Sequence, residues 1–344
     1  MVSSTLTRAI EGLEGGESLS ADQCRDAIRA ILDGGLQDLE VERFLAALHR
    51  KGETAEELHG AVLAVRERMI PFDPGSAGGP CLDTCGTGGD GAHTVNISTA
   101  TAAVVASCGV RVVKHGNRAA SGSSGSSDVL GRLGVAIDPD TPALHRCLEE
   151  IGLVFLFAPR FHPGLRGVAE IRRRLPHRTI FNLVGPLCNP ASPTHQLMGV
   201  PSEEHAATMA GALARAGHIR RAVVVHGSDG LDEVTLDGPT RVLVVEAGAV
   251  RGVSWSPEDF GLPRTPAAAL RVEGPDESAD RLRRLFAGEG GPVRAVVLAN
   301  AAAALWAVEG GSLVDLVARA AAAIDSGSVA RRVGRWAELT GGER

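Results

Sequence analysis

The chain has 344 residues, 44% of them hydrophobic, with a formal net charge of -6 and a pI near 6.0. That length and composition can bury a large core and suffice for two domains. The acidic balance, with aromatics at 3% and no tyrosine, argues against a general nucleic-acid binder, which normally presents a basic face interleaved with aromatic rings.

The opening stretch, MVSSTLTRAIEGLEGG, carries charges where a secretory signal needs an apolar run, and no stretch of about 18 uninterrupted apolar residues follows. A cytoplasmic chain without a membrane span is therefore expected. Six cysteines (24, 81, 85, 108, 147 and 188) lack paired C-x-x-C spacing and read as small buried hydrophobes.

Residues 1–70 read as a small helical domain. Three segments, SADQCRDAIRAILDG, DLEVERFLAALHRKG and TAEELHGAVLAVRERM, carry apolar positions at three- and four-residue spacing. Ser20 with Gln23 and Thr54 with Glu57 form capping boxes at two of their starts. PFDPGSAGGP, residues 71–80, breaks the pattern and reads as a linker.

From Cys81 the rhythm becomes strand, loop, helix. A glycine loop leads into STATAAVVASCG, then VRVVK ends at HGN, and apolar runs recur at LVFLFA, AVVVHG and TRVLVVEAG. Strands alternating with helices predict an α/β domain over 71–344 with a mostly parallel central sheet. Its ligands should sit at the carboxyl ends of the strands. The last third reads as helices packed on that sheet.

The loop DTCGTGGDGAHTVNIST contains a literal G-x-G-x-x-G and an N-x-S sequon at Asn96. With no secretory signal expected, the sequon is not expected to be glycosylated. A dinucleotide fold needs an acidic residue about 20 positions beyond its glycines, where this chain has Lys114, His115 and Arg118. A Walker loop fails too, because no G-K-[ST] follows the glycines. Four glycines between Gly86 and Gly91 allow backbone N–H groups to approach an anion, and Asn96, Ser98 and Thr99 open the next helix.

An isolated glycine cluster reads equally as a simple turn with an N-cap. KHGNRAASGSSGSSD adds Lys114 and the donors from Ser121 to Ser126, a second anion cradle. Two cradles on neighbouring strands imply a ligand with at least two phosphate groups, which normally brings Mg2+. An Asp-Glu pair alone is usually solvated surface. HGSDGLDEV nonetheless places Asp232 and Glu233 after a strand of the same sheet, where they suit a hydrated metal.

GTGGDG, NIST, KHGNR, GSSD, RTIFNLVGPLCNP and DGLDEV, in this order and spacing, resemble the anthranilate phosphoribosyltransferases of tryptophan biosynthesis. The likeness runs over nearly the whole chain, most closely from Cys81 to Val234. It implies a nucleoside phosphorylase-like fold in which a mid-chain segment around 163–190 joins the N-terminal helical domain. It also implies a homodimer, and transfer of the phosphoribosyl group of phosphoribosyl pyrophosphate (PRPP) to the amine of anthranilate.

The resemblance assigns PRPP to Gly86, Gly89, Asp90, Thr94, Asn96, Ile97, Ser98, Thr99, Lys114, His115, Gly116, Asn117, Arg118, Ser121, Gly122 and Ser126. It assigns anthranilate to Gly86, His115, Asn117, His162, Arg172 and Pro186, with Arg172 on the carboxylate. Two Mg2+ ions per site are implied, held by Ser98, Asp232 and Glu233. No dedicated acid or base is expected. Ser123 departs from many relatives, which place a lysine or another residue there. Rival readings are a pyrimidine nucleoside phosphorylase, a nucleic-acid-binding relative without activity, and a helical scaffold. The first lacks the GTGGDG to KHGNR combination, the second calls for eroded motifs and a basic groove, and the third leaves both cradles unexplained.

Overall fold

The computed structural model describes residues 2–75, 79–118 and 125–342. Four helices open the chain: α1 (Val2–Glu14), α2 (Ala21–Asp33), α3 (Asp38–Lys51) and α4 (Ala55–Arg66). Both expected capping boxes form. Ser20 Oγ accepts from Gln23 N at 3.2 Å, and Thr54 Oγ1 accepts from Glu57 N at 3.2 Å. Each cap contributes about 1 kcal/mol. Glu57 also knits the unit together, because its buried carboxylate accepts from Leu19 N, Thr54 N and Lys51 Nζ at 2.8–2.9 Å. Helix α1 adds to the three expected segments and buries Leu6, Ile10 and Leu13 along one face.

The sheet comprises β1 (Cys81–Gly86), β2 (Arg111–Gly116), β3 (Leu153–Phe157), β4 (His195–Gly199), β5 (Arg221–Gly227), β6 (Thr240–Glu246) and β7 (Ala249–Trp255). Its order is β3-β2-β1-β4-β5-β6-β7. The first five strands in that order are parallel, and the last two are added antiparallel. Strands β4 and β7 lack a sequence signal of their own. HQLMG is short and begins with two polar residues, and AVRGVSW is an exposed edge joined to β6 by a turn with positive φ at Ala247 and Gly248.

Alternation along the strands divides the apolar side chains between two cores. Leu197, Val223, Val225, Val242 and Val244 share one with α5 (Ile97–Ser107) and the C-terminal helices. Met198, Ala222, Val224, Leu243 and Val245 share the other with the N-terminal helices. The crossovers also contain α6 (Ser126–Arg132), α7 (Thr141–Glu150), α8 (Ala158–Phe161), α9 (Arg166–Arg174), α10 (Ile180–Val184) and α11 (Glu203–Ala214). Val168, Ile171, Ile180, Phe181 and Leu183 of α9 and α10 lie in the second core, so this mid-chain segment packs with the N-terminal helices.

The chain ends in α12 (Pro275–Phe286), α13 (Pro292–Glu309), α14 (Leu313–Asp325) and α15 (Ser328–Thr340). By length and composition alone α13 could cross a membrane. Here it is a core helix, with Ala299 and Ala301–Ala304 fully buried between α5, α14 and the sheet.

Candidate functional site

The loops after β1 and β5 meet at the carboxyl edge of the sheet, beside the end of β2, although β4 separates β1 from β5. Gly199, the last residue of β4, permits the approach. A Cβ there would lie 1.5 Å from the carbonyl oxygen of Asp232. Any side chain would push the Asp232–Glu233 loop off the strand.

The glycine loop is held from several sides. Thr87 N donates to Gly199 O at 3.0 Å, and Gly88 N donates to Asp232 Oδ2 at 3.0 Å. Asp90 Oδ1 accepts from Ala92 N at 3.1 Å and closes the turn. Asn96 caps α5 by accepting from Thr99 N at 3.2 Å, and Thr94 bridges to Arg271. Among the described residues the buried Thr99 hydroxyl has no hydrogen-bond partner. It is an orphaned donor in the first helical turn, where the dipole favours an anion. Ile97 lies in the apolar core, so only its backbone faces a ligand.

Lys114 lies beneath the loop and not on its surface, at 1% exposure. Its ammonium donates to Thr84 O at 2.5 Å and to Ser98 Oγ at 3.2 Å. Burial lowers its pKa, while the charges of Asp83 and Glu233 oppose that shift. Asp83 is buried in β1 and pushed up to about 6 by desolvation, against the pull of Lys114. Its two oxygens accept from His115 N at 3.2 Å and Asn189 Nδ2 at 2.8 Å, fixing the start of the second loop.

Burial, then the adjacent Asp90 charge, pushes Asp232 up to about 7. Glu233 is also raised, first by burial and then by Asp232, with Lys114 opposing. Three carboxylates therefore converge on one crevice. Asn300, fully buried on α13, accepts from Val234 N and donates to Val234 O, both at 2.9 Å, pinning the backbone just after Glu233. Among the described residues no three His, Cys, Asp or Glu side chains form a metal cluster. Asp232, Glu233 and Ser98 are hard oxygen donors, the set suited to a Mg2+ ion that completes its shell with phosphate and water.

His115 and His162 meet with Nε2 atoms 3.2 Å apart. Burial, reinforced by His162, pushes His115 down to about 3, and burial pushes His162 down to about 4. Both rings are neutral at pH 7, one donating and one accepting. Pro186 is placed nearby by Gln196, whose Nε2 donates to Pro186 O at 2.6 Å and to Cys85 Sγ at 3.1 Å.

These shifts have a consequence for stability. Below 6.5 the unfolded chain takes up protons that the folded rings refuse, so this contribution is complete above 6.5 and is lost as pH falls toward 4 and 3. At pH 5, His115 alone accounts for about 2 kcal/mol. The melting temperature of the wild type should fall more steeply from pH 7 to 5 than that of His115→Gln; parallel slopes would contradict this.

Arg172 is half-buried on α9, its guanidinium 5.7 Å from the centre of the Phe181 ring. Its neighbours find carboxylates: Arg173 pairs with Glu170, and Arg174 with Asp38 and Glu42. Among the described residues Arg172 forms no ion pair. Burial, then the nearby Arg178, lowers its pKa. A partly buried arginine beside an aromatic ring and a second guanidinium, with no counter-ion among the described residues, is a ready site for a carboxylate.

Asn117 and Arg118 are exposed at the end of β2, with Asn117 Oδ1 accepting from Arg118 N at 2.8 Å. Gly116 brings Ser126 close, since a Cβ on it would lie 3.4 Å from that of Ser126. Ser121, Gly122 and Ser123 lie outside the described residues. Sequence reasoning missed Asp83, Arg178, Asn189, Gln196, Gly199 and Asn300. Of these only Asp83, a carboxylate inside an apolar strand, carries a local signal.

The glycosyl transferase family a/b domain matches residues 78–330, and the helical bundle domain of the same family matches residues 6–69. The anthranilate phosphoribosyltransferase of Rhodopirellula baltica is 45% identical, with 96% of each chain covered. The crystal structure of the Thermus thermophilus enzyme of that name superposes with a TM-score of 0.89 at 40% identity, covering 96% of this chain and 99% of the other. The Saccharomyces cerevisiae enzyme in complex with PRPP and Mg gives 0.88 at 29% identity, with 98% of each chain covered. A second yeast structure, with 4-fluoroanthranilate, gives 0.86 at 28% identity and the same coverage. The crevice lies within a chain that belongs to the anthranilate phosphoribosyltransferase family of glycosyl transferases.

Proposed function

We propose that this chain transfers the phosphoribosyl group of PRPP to the amine of anthranilate, giving N-(5-phosphoribosyl)-anthranilate and pyrophosphate in tryptophan biosynthesis. The observation that carries the reading is the convergence of the glycine loop, Asp232 and Glu233 at one end of the sheet, with Arg172, which forms no ion pair among the described residues, on the helical segment beside it.

The loop amides from Gly86 to Asp90, the first turn of α5 and the Lys114 charge hold the diphosphate and ribose, with Asn117, Arg118 and Ser126 at the phosphate end. Ser121 and Gly122 belong to the same cradle in this reading. Ser98, Asp232 and Glu233 hold Mg2+, as two ions. The metal supplies charge neutralisation for the departing pyrophosphate. Arg172 pairs with the anthranilate carboxylate, while His115, His162 and Pro186 wall its ring. The active chain is a cytoplasmic homodimer associating through the helical domain, which comprises residues 1–70 and the segment around 163–190.

The reaction breaks the bond from C1 of the ribose to a pyrophosphate oxygen and forms one from C1 to the amine nitrogen, which then loses a proton. Positive charge grows on the ribose and negative charge on the leaving group, so donors aimed at the diphosphate lower the barrier. Holding the amine in line with C1 supplies the remainder. Burial lowers the pKa of both His115 and His162, so neither is poised as a strong base, and the nitrogen, acidic once the bond forms, needs no dedicated base to lose its proton.

Anthranilate fluorescence followed with purified protein, PRPP and Mg2+ tests this. Loss of signal is expected only when all components are present; an unchanged signal with PRPP still bound would move the acceptor to another amine or base. Arg172→Ala should raise the KM for anthranilate about a hundredfold, equivalent to losing about 3 kcal/mol of charge-assisted pairing. Its KM for PRPP should stay within threefold, and the opposite pattern would remove Arg172 from the acceptor site.

A further inference from the structure

Arg178 lies between α9 and α10, in the segment that also carries Arg172, and its side chain crosses to the glycine loop. Nη2 donates to Thr87 O at 2.9 Å and Nη1 to Gly88 O at 2.6 Å. Among the described residues it forms no ion pair, so both bonds end on backbone carbonyls. A Cβ on Gly89 would lie 1.9 Å from Arg178 Nη1, and Gly89 has φ +84°. The position accommodates the guanidinium only as glycine.

The geometry has a directional consequence. In a trans peptide the carbonyl and the following N–H point in opposite directions. Gripping Thr87 O turns Gly88 N–H away from the arginine, and that N–H is found on Asp232 Oδ2. Gripping Gly88 O in the same way turns Gly89 N–H away from the guanidinium. The arginine backbone is anchored on the helical side: His177 Nδ1 bonds Arg178 O at 2.8 Å, and the His177 ring stacks on His49 of α3 with centroids 4.1 Å apart.

We propose that Arg178 is a positioning residue that sets the direction of the glycine-loop amides for the diphosphate and ties that loop to the helical segment bearing the acceptor site. The proposal rests on the PRPP reading for its consequence, but not for its geometry. An arginine fits where two carbonyls must be held at once, because its planar fork presents paired donors that a lysine ammonium cannot reproduce.

The test uses the full-length protein and its Arg178→Ala and Arg178→Lys variants. Hydrogen exchange of the Thr87–Gly91 amides, without any ligand, should be at least tenfold faster in the alanine variant. Calorimetric Kd for PRPP with Mg2+ and the KM for PRPP should both rise at least tenfold, while the KM for anthranilate at saturating PRPP changes less than threefold. The lysine variant should fall between wild type and alanine in each readout. Unchanged loop exchange, or PRPP affinity within twofold of wild type, overturns the proposal. A wild type that binds no PRPP defeats the functional reading instead, and the ligand-free exchange still decides the role of Arg178. A variant that melts far below wild type and loses exchange protection throughout the chain also overturns the proposal, since the arginine would then support the fold at large.

Discussion

Asp232→Asn/Glu233→Gln is expected to lower turnover by at least about a thousandfold, a barrier increase of about 4 kcal/mol. It is also expected to raise the melting temperature of the metal-free protein at pH 8. The two effects share one origin. Asp232, Glu233 and Asp90 share a crevice where burial and mutual repulsion push the Asp232 carboxyl up to about 7 and raise Glu233 as well. A carboxyl whose folded pKa lies above its unfolded value favours folding only while protonated. As pH rises through the folded value, the ionised group strains the native state. Neutral amides of the same shape remove that strain together with the charge a cation needs. Turnover close to wild type, or a lower metal-free melting temperature at pH 8, would contradict the assignment.

Lys114→Met should weaken PRPP binding at least about a hundredfold, or about 3 kcal/mol, and should also destabilise the fold. Lys114 is 1% exposed and its charge acts on Asp83 and Glu233, so its removal leaves the buried Asp83 and the half-buried Glu233 without that counter-charge. Breaking such a cluster typically costs about 3–5 kcal/mol. Asp83 moderates that loss by taking a proton, since it already titrates near 6. Adding Asp83→Asn to Lys114→Met should recover part of the melting temperature but none of the PRPP affinity. Paired calorimetry and thermal melts of the single and double variants separate the two effects. Full affinity in the single variant would place the lysine outside the donor site.

The sequence and the structure agree best where a local rule decides the outcome. Capping boxes at Ser20 and Thr54, the β-branched runs and the helix-forming periodicity depend on neighbours a few residues apart, and all appear where expected. The glycine loop was legible because four glycines, a cap and a following cationic strand end constrain its ligand. What escaped was chemistry built across long separations. Gly199 matters only because β4 lies between β1 and β5, and β4 has neither β-branched residues nor clean alternation. Asn300 acts on Val234 from a helix that reads as featureless alanine-rich core. Arg178 stands in RTIFN, a stretch valued for its resemblance, while its work is a contact with carbonyls some 90 residues earlier. The burial of Lys114 was hidden too: a lysine at a strand end reads as a surface charge until the neighbouring loops close over it.

The central claim is that C1 of a phosphoribosyl donor passes to an aromatic amine while pyrophosphate leaves. Phosphorus NMR of a reaction containing PRPP, Mg2+ and anthranilate tests it most directly, with anthranilate consumption measured in the same tube. One pyrophosphate should appear for each anthranilate consumed, with the 5-phosphate ester retained and no pyrophosphate formed when anthranilate is omitted. Pyrophosphate released at the same rate without anthranilate would mean that the site activates the sugar for water, and would contradict the account.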